Sequence, residues 1–294
     1  MLGRCVARRL DTLGHAWIGT DLELDIADQR AVDEFLGEHA VAAIINCAAY
    51  TAVDAAETDK DSALRVNAQG PQRLALACHS RGYPLVHFST DYVFDGERPG
   101  EHTEDSPVGP CNVYGRTKLE GERLVTDAFA SSHLEGTRPW HILRTSWLFG
   151  AGRSSFVDTM WKLMLEKTEL RIVNDQYGRP TYAQDLADAA IRAAGLDASA
   201  AIPSGIWHFA NAGPVSWYEF AAEIRVCLTK AQQSLAIRDL VPVSSDEFPR
   251  PAKRPKNSVL STKRLETDAN IVPRHWRDAL REYISWQTEQ RGIR

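Results

Sequence analysis

The chain has 294 residues, 44% of them apolar and 25% charged, enough to bury a large core and to fill about two domains. Its 34 basic and 39 acidic side chains leave a formal charge of -5, which removes the electrostatic case for gripping a nucleic-acid backbone. Five scattered cysteines without a C-x-x-C pair argue against a disulfide framework or a cysteine zinc site. No apolar run approaches the roughly 18 residues that span a bilayer, and no signal peptide is evident, so the chain reads as cytoplasmic with no membrane partner.

In chain order, "MLGRCVARRL" reads as an amphipathic helix, with Leu2, Val6 and Leu10 on one side. A buried strand is expected over Ala42–Cys47, a helix over Ser62–Ser80, and a strand in "PLVHFS". "YGRTKLEGERLVTDAFA" reads as a helix leading to the strand-like "WHILRTSWLFG". Near-continuous apolar strands separated by helices predict an α/β fold built on a parallel sheet covered on both faces.

After Gly150 the pattern loosens. "SFVDTMWKLMLEK", "YAQDLADAAIRAAG", "SWYEFAAEIRVCL" and "HWRDALREYISWQ" read as helices, "LRIV" and "GIWHFA" as short strands, and Pro242–Pro255 as a Pro-rich stretch. The expected division is a dinucleotide-binding domain over 1–150, with 182–206 returning to it. A smaller mixed α/β substrate domain takes 151–181 and 207–294.

The chemistry lies in the middle. Ser89 and Thr90 fall at the carboxyl end of a predicted strand, where open parallel sheets place ligands. Tyr114 and Lys118, at i and i+4, project from one helix face. Such a pair is by default a surface contact with a snorkelling lysine. After a strand ending in "STD" it reads instead as proton chemistry. A phenol titrates near 10, and a neighbouring ammonium is expected to lower that value. Tyr114 then gives a proton to a carbonyl oxygen, Thr90 bridges to the same oxygen, and Lys118 reaches a cofactor ribose. The backbone of Cys47, Ala48 and Ala49 is a candidate cofactor contact. Tyr50, Thr51 and Asp54 read as either loop packing or part of that site. His87 reads as strand packing rather than a general base, and His208 as structural. No residues assemble a metal-ligand pattern.

The linked strings "NCAAYTAVDAAE", "VNAQGPQRLA", "HFSTDYVFDG", "NVYGRTKLEGE", "LRTSWLFG", "VNDQYGRPT" and "RPKNSVLSTKRL" resemble the extended short-chain dehydrogenase/reductase family across most of Asp21–Leu265. The resemblance implies a Rossmann-like sheet and Thr90, Tyr114 and Lys118 as the active trio. It further implies NADPH or NADH reducing the C4 ketone of a dTDP-linked deoxyhexulose to dTDP-L-rhamnose, with Tyr114 as proton donor. It places Asp25 and Ile26 near the adenine, Asp91 and Tyr92 beside the substrate, and Trp147 as a pocket wall, the alternative for Trp147 being a core residue at a strand end. Asn174, Gln176 and Arg179 are implied to shape the sugar cavity, where otherwise they make a solvated turn. Arg254 is a candidate for a diphosphate, or part of an exposed basic loop. Asp21 in "WIGTDLELDI", with no adjacent Arg, leans towards NADH. The family brings magnesium into assembly or stability, with no ligands assignable, and a homodimer is one such assembly.

Gly3 matches the third glycine of the family's G-x-x-G-x-x-G turn, so the sheet is expected to be N-terminally incomplete and cofactor binding or folding of these 294 residues to be weak. Other functions on the same layout are a non-catalytic nucleotide-binding regulatory subunit, another nucleotide-sugar reductase or epimerase, and a dehydratase using Asp91.

Overall fold

The computed structural model describes residues 1–130 and 139–290. Its first half runs α1 (Leu2–Leu13), α2 (Gln29–Glu38), β1 (Ile44–Asn46), α3 (Val53–Ala56), α4 (Lys60–Leu64), a π-helical turn at Arg65–Gln69, α5 (Gly70–Arg81), β2 (Leu85–Thr90), α6 (Val113–Ala130) and β3 (Trp140–Thr145). The rest runs β4 (Leu148–Phe149), α7 (Phe156–Glu166), β5 (Glu169–Val173), β6 (Tyr177–Gly178), β7 (Thr181–Tyr182), α8 (Ala183–Ala193), β8 (Gly205–His208), β9 (Val215–Ser216), α9 (Trp217–Lys230), β10 (Asp239–Val243), α10 (Lys263–Asp268) and α11 (Trp276–Gln290). The expected α/β layout is present: β1, β2, β3 and β8 form one parallel sheet in that order.

The strand alternation sorts two helical layers. Val86, Phe88 and Leu143 meet α1 and α8 through Leu2, Val6, Leu10, Leu186 and Ala190. Leu85 and Ile142 face the other way, onto Ala75 and Cys78 of α5 and Val125 and Phe129 of α6. His87 and Arg144 share that second face by the same two-residue period, and α6 covers them with Lys118 and Glu122. The layer that holds the sheet together therefore also holds polar side chains under α6.

A separate core gathers α7, α9 and α11 around Trp161, Phe220, Trp276 and Tyr283, with Phe149 and Tyr182 at its edge. β5 and β10 pair in parallel beside it. Pro242 sits inside β10 in what reads from sequence as an irregular Pro-rich stretch. That strand pairs only with β5, so the missing N–H of proline leaves no gap in a central ladder.

Between residues 15 and 28 no residue pairs into a sheet. Among the described residues β1 pairs only with β2, and Trp17, Ile18 and Leu22 are exposed. Asp21 lies in a turn, its N–H held by Glu23 Oε1 at 2.8 Å, and not at a strand end. The lean towards NADH drawn from it loses its structural basis.

α6 approaches its neighbours closely because two of its residues lack a Cβ. A methyl on Gly115 would stand 2.2 Å from the carbonyl of Tyr92, and one on Gly121 2.1 Å from that of Asn67. Both contacts are to backbone, which cannot swing aside. Gly115→Ala is expected to destabilise the protein by about 1–3 kcal/mol, the usual cost of overpacking, and to push Tyr114 off Thr90. Chemical denaturation checks the first effect and steady-state rates the second.

Candidate active site

The site sits where β2 ends. Thr90, 5% exposed, is its last residue, and its hydroxyl lies close enough to the Tyr114 phenol to act on its titration. Thr90 also donates to Asp91 Oδ1 at 3.0 Å and accepts from the Tyr92 N–H at 3.2 Å, so its orientation is fixed by the turn it opens. Tyr114 enters from the first turn of α6. Its ring meets Tyr92 edge to face, with centroids 5.7 Å apart. The strand-end position of Thr90 led the sequence reading to set it beside Tyr114, and the two side chains are neighbours here.

Burial pushes the Tyr114 phenol up to about 12, against the downward pull of the Thr90 hydroxyl, and the Asp91 charge adds to the rise. This overturns the expectation that an ammonium lowers it. Lys118 Nζ is turned inward beneath the helix, 2.5 Å from the Phe88 carbonyl and 3.3 Å from His87 Nε2. Desolvation lowers the lysine to about 8, with Glu122 pulling the other way. His87 is thus a contact of the site and not only strand packing. Its neighbour Asn46, 3.1 Å from Nδ1, went unmarked in the sequence. The available signal was positional: Asn46 ends β1, and His87 lies two residues before Ser89 on the face that α6 covers.

Asp91 is 2% exposed, held by Thr90 at one oxygen and by the Ser258 hydroxyl at the other. Burial raises its carboxyl to about 7, although both hydroxyl bonds favour the carboxylate. The folded value lies above the unfolded one of about 3.9, so protonated Asp91 stabilises the native state fully below pH 4. That contribution is lost as pH rises from about 4 through 7. Asp91→Asn is therefore expected to flatten the pH dependence of stability across this window, by an amount on the order of a few kcal/mol. Melting the two proteins from pH 4 to 8 measures the difference.

Arg254 binds Asp54 with both arms, at 2.5 and 3.0 Å, and lies beside Tyr92. It joins the loop after β1 to the turn after β2, so it lies at the carboxyl edge of the sheet but already carries an anionic partner. Asp54, left open between packing and function, is that partner.

Trp147 has a left-handed φ of 48°, an uncommon conformation for a bulky side chain. It is held there by a near-parallel stack on Trp217, centroids 3.5 Å apart. The remaining candidates are not hydrogen-bonded to Thr90, Tyr114 or Lys118. Asn174 accepts from Ser216 at 2.8 Å, Gln176 donates to Ser245 at 2.8 Å, and Arg179 engages Glu101 and Thr262. These bonds tie the turn around Tyr177 to its neighbours. Through the Ser258 N–H, which bonds the Tyr177 carbonyl at 2.8 Å, the turn connects to Asp91.

On the cofactor side, Gly3 in α1 faces Cys47 just past β1; a methyl there would stand 3.6 Å from Cys47 Cβ. That is an ordinary contact, so the close packing inferred for this glycine does not require it. Ala48 is exposed and Ala49 half-buried. Asp25 pairs with Arg65, whose hydrogen bond lowers its carboxyl, and Ile26 packs on Gly70. The first turn of α1 carries no acidic residue and opens beside Cys47–Ala49. Free amides and the positive end of a helix suit a pyrophosphate. Among the described residues, no three His, Cys, Asp or Glu side chains are placed to hold a metal ion, and no helix is long and apolar enough to cross a membrane.

The parallel sheet, its two helical layers and the polar cluster at its carboxyl edge define a Rossmann-like α/β enzyme. The chain belongs to the RmlD substrate binding domain family, whose model matches residues 1–288. The spore coat polysaccharide biosynthesis protein SpsK of Bacillus subtilis is 40% identical over 284 residues, covering 96% of this chain and 93% of that protein. A dTDP-4-dehydrorhamnose reductase of Streptomyces griseus is 41% identical over 286 residues, covering 96% and 89%. The crystal structure of a dTDP-4-dehydrorhamnose reductase from Clostridium acetobutylicum has a TM-score of 0.87 at 39% identity, covering 98% of this chain and 96% of that one. One from Bacillus anthracis, in complex with NADP, has a TM-score of 0.85 at 33% identity, covering 97% and 95%.

Proposed function

We propose that the chain reduces the C4 ketone of dTDP-4-dehydro-6-deoxy-L-mannose to dTDP-L-rhamnose with NADPH or NADH, and that Tyr114 supplies the proton. The observation that carries this reading is the placing of Thr90 and the Tyr114 phenol side by side at the end of β2, with Lys118 one turn along the same helix. Near relatives named as dTDP-4-dehydrorhamnose reductases support the substrate, and the NADP complex of one supports the cofactor.

When bound, the nicotinamide supplies a hydride to the ketone carbon. Tyr114, protonated across the physiological range, gives its proton to the ketone oxygen. Thr90 hydrogen-bonds the same oxygen as charge develops on it. Cys47–Ala49, Gly3, Asp25 and Ile26 line the dinucleotide, and Lys118 reaches its ribose. Asp91 and Tyr92 border the sugar, Trp147 walls its pocket, and Asn174, Gln176 and Arg179 shape the far side. Arg254 meets the diphosphate by exchanging part of its bond with Asp54. In this division the dinucleotide lies on 1–150 and 182–206, the sugar on 151–181 and 207–294. The five free cysteines accord with a reducing, cytoplasmic setting.

The test supplies the dTDP-ketosugar with NADPH or NADH and follows cofactor oxidation together with product formation. Absence of dTDP-L-rhamnose from a folded sample overturns the proposal.

A further inference from the structure

Three buried side chains of the site stand in line, and one end of the line is fixed. Asn46 closes β1, His87 lies in β2 and Lys118 in α6, with exposures of 5%, 0% and 2%. The N–H of Ala48, a group that only donates, reaches Asn46 Oδ1 at 3.1 Å. This settles the amide: its oxygen faces Ala48, and its NH2 faces His87 Nδ1 at 3.1 Å. A ring nitrogen opposite an amide N–H has to accept. In a neutral imidazole the single proton is then on Nε2, the atom 3.3 Å from Lys118 Nζ.

We infer that His87 donates its Nε2–H to the lone pair of Lys118 and so favours that lysine as the neutral amine in the cofactor-free protein. The amine has a hydrogen left for the Phe88 carbonyl at 2.5 Å. An ammonium would set donor against donor at His87, and protonating His87 would do the same at Asn46. Burial acts in the same direction, bringing Lys118 to about 8 and His87 well below its ordinary value. The ionisable groups acting on Lys118 are His87 from β2 and Glu122 from its own helix. Glu122 favours the ammonium, but both its oxygens are taken by Arg144 of β3. Asn46, from β1, is uncharged, and Tyr114, one turn back, is a neutral phenol.

His87 is thereby a positioning residue, acting through Lys118 and Asn46 and touching no reacting atom. Its kinetic consequence rests on the reductase reading: the alkaline limb of the rate falls below the ordinary lysine range of about 10.4. Asn46→Ala releases the ring, lets Nδ1 take the proton and turns Nε2 into an acceptor for an ammonium. The Lys118 midpoint is expected to rise by about one pH unit, a tenfold gain in proton affinity.

The test is nitrogen-15 NMR of the unaltered chain without cofactor, labelled at histidine, with the His87 signals identified by their loss in His87→Gln. A bare Nδ1 and protonated Nε2 are expected at about pH 9.5, above the Lys118 midpoint of about 8; protonated Nδ1, or an imidazolium, overturns the inference. A lysine-labelled titration of Asn46→Ala adds a second reading, and a midpoint unchanged from the unaltered chain overturns it as well. Neither spectrum involves substrate. A failed ketosugar assay would therefore remove the reductase reading and leave the tautomer standing, while the wrong tautomer would leave turnover untouched.

Discussion

Tyr114→Phe is expected to lower kcat for ketone reduction by about 100- to 10,000-fold while leaving cofactor affinity within a few-fold. The substitution removes one oxygen from a ring whose edge contact with Tyr92 survives, so the helix keeps its seat. What disappears is the proton that Thr90 orients. Because burial holds the phenol at about 12, the unaltered protein keeps that proton throughout the neutral range. The loss in the variant should accordingly be nearly constant from pH 6 to 8. Stopped-flow cofactor oxidation, with cofactor binding measured separately by fluorescence, checks both halves. A rate within a few-fold of the unaltered protein would reject Tyr114 as the donor.

The largest stability effect is expected at Glu122. Its carboxylate meets Arg144 at 2.8 and 2.6 Å, and both side chains are nearly sealed from solvent, at 2% and 3% exposure. Arg144 also lies over the Phe94 ring and reaches His208 at 3.4 Å, neither of which replaces a counter-charge. Glu122→Ala leaves a buried guanidinium unpaired and is expected to cost about 3–5 kcal/mol. Replacing both partners with Met removes the two charges together and should recover most of that loss. Urea unfolding of Glu122→Met, Arg144→Met and the double variant forms the cycle that decides it. Equal losses in the single and double variants would show that packing, not the orphaned charge, sets the cost.

The parallel sheet and most helices were legible because their apolar periods are strong: α1, α6 and α9 fall within a few residues of where the sequence puts them. Thr90 and Tyr114 were legible for a local reason, one ending a strand and the other opening a helix that packs on it. Lys118 was found but its surroundings were not, since spacing gives the helix face and says nothing of rotation towards His87. Asn174, Gln176 and Arg179 show the opposite difficulty. Their polar run marks a built turn, but its partners, Ser216, Ser245, Glu101 and Thr262, come from segments that no local pattern connects.

The bonds from Arg254 to Asp54 and from Ser258 to Asp91 span 200 and 167 residues of chain. Contacts so distant in sequence form only after most of the polypeptide is made and the loop between them has closed. The layer of α5 and α6 on β2 and β3 is built from near neighbours in sequence and can assemble earlier, whereas α1 waits for α8, about 180 residues on. Order of assembly is thus written into the molecule: the scaffold that carries Tyr114 comes first, and the clasp around it closes late.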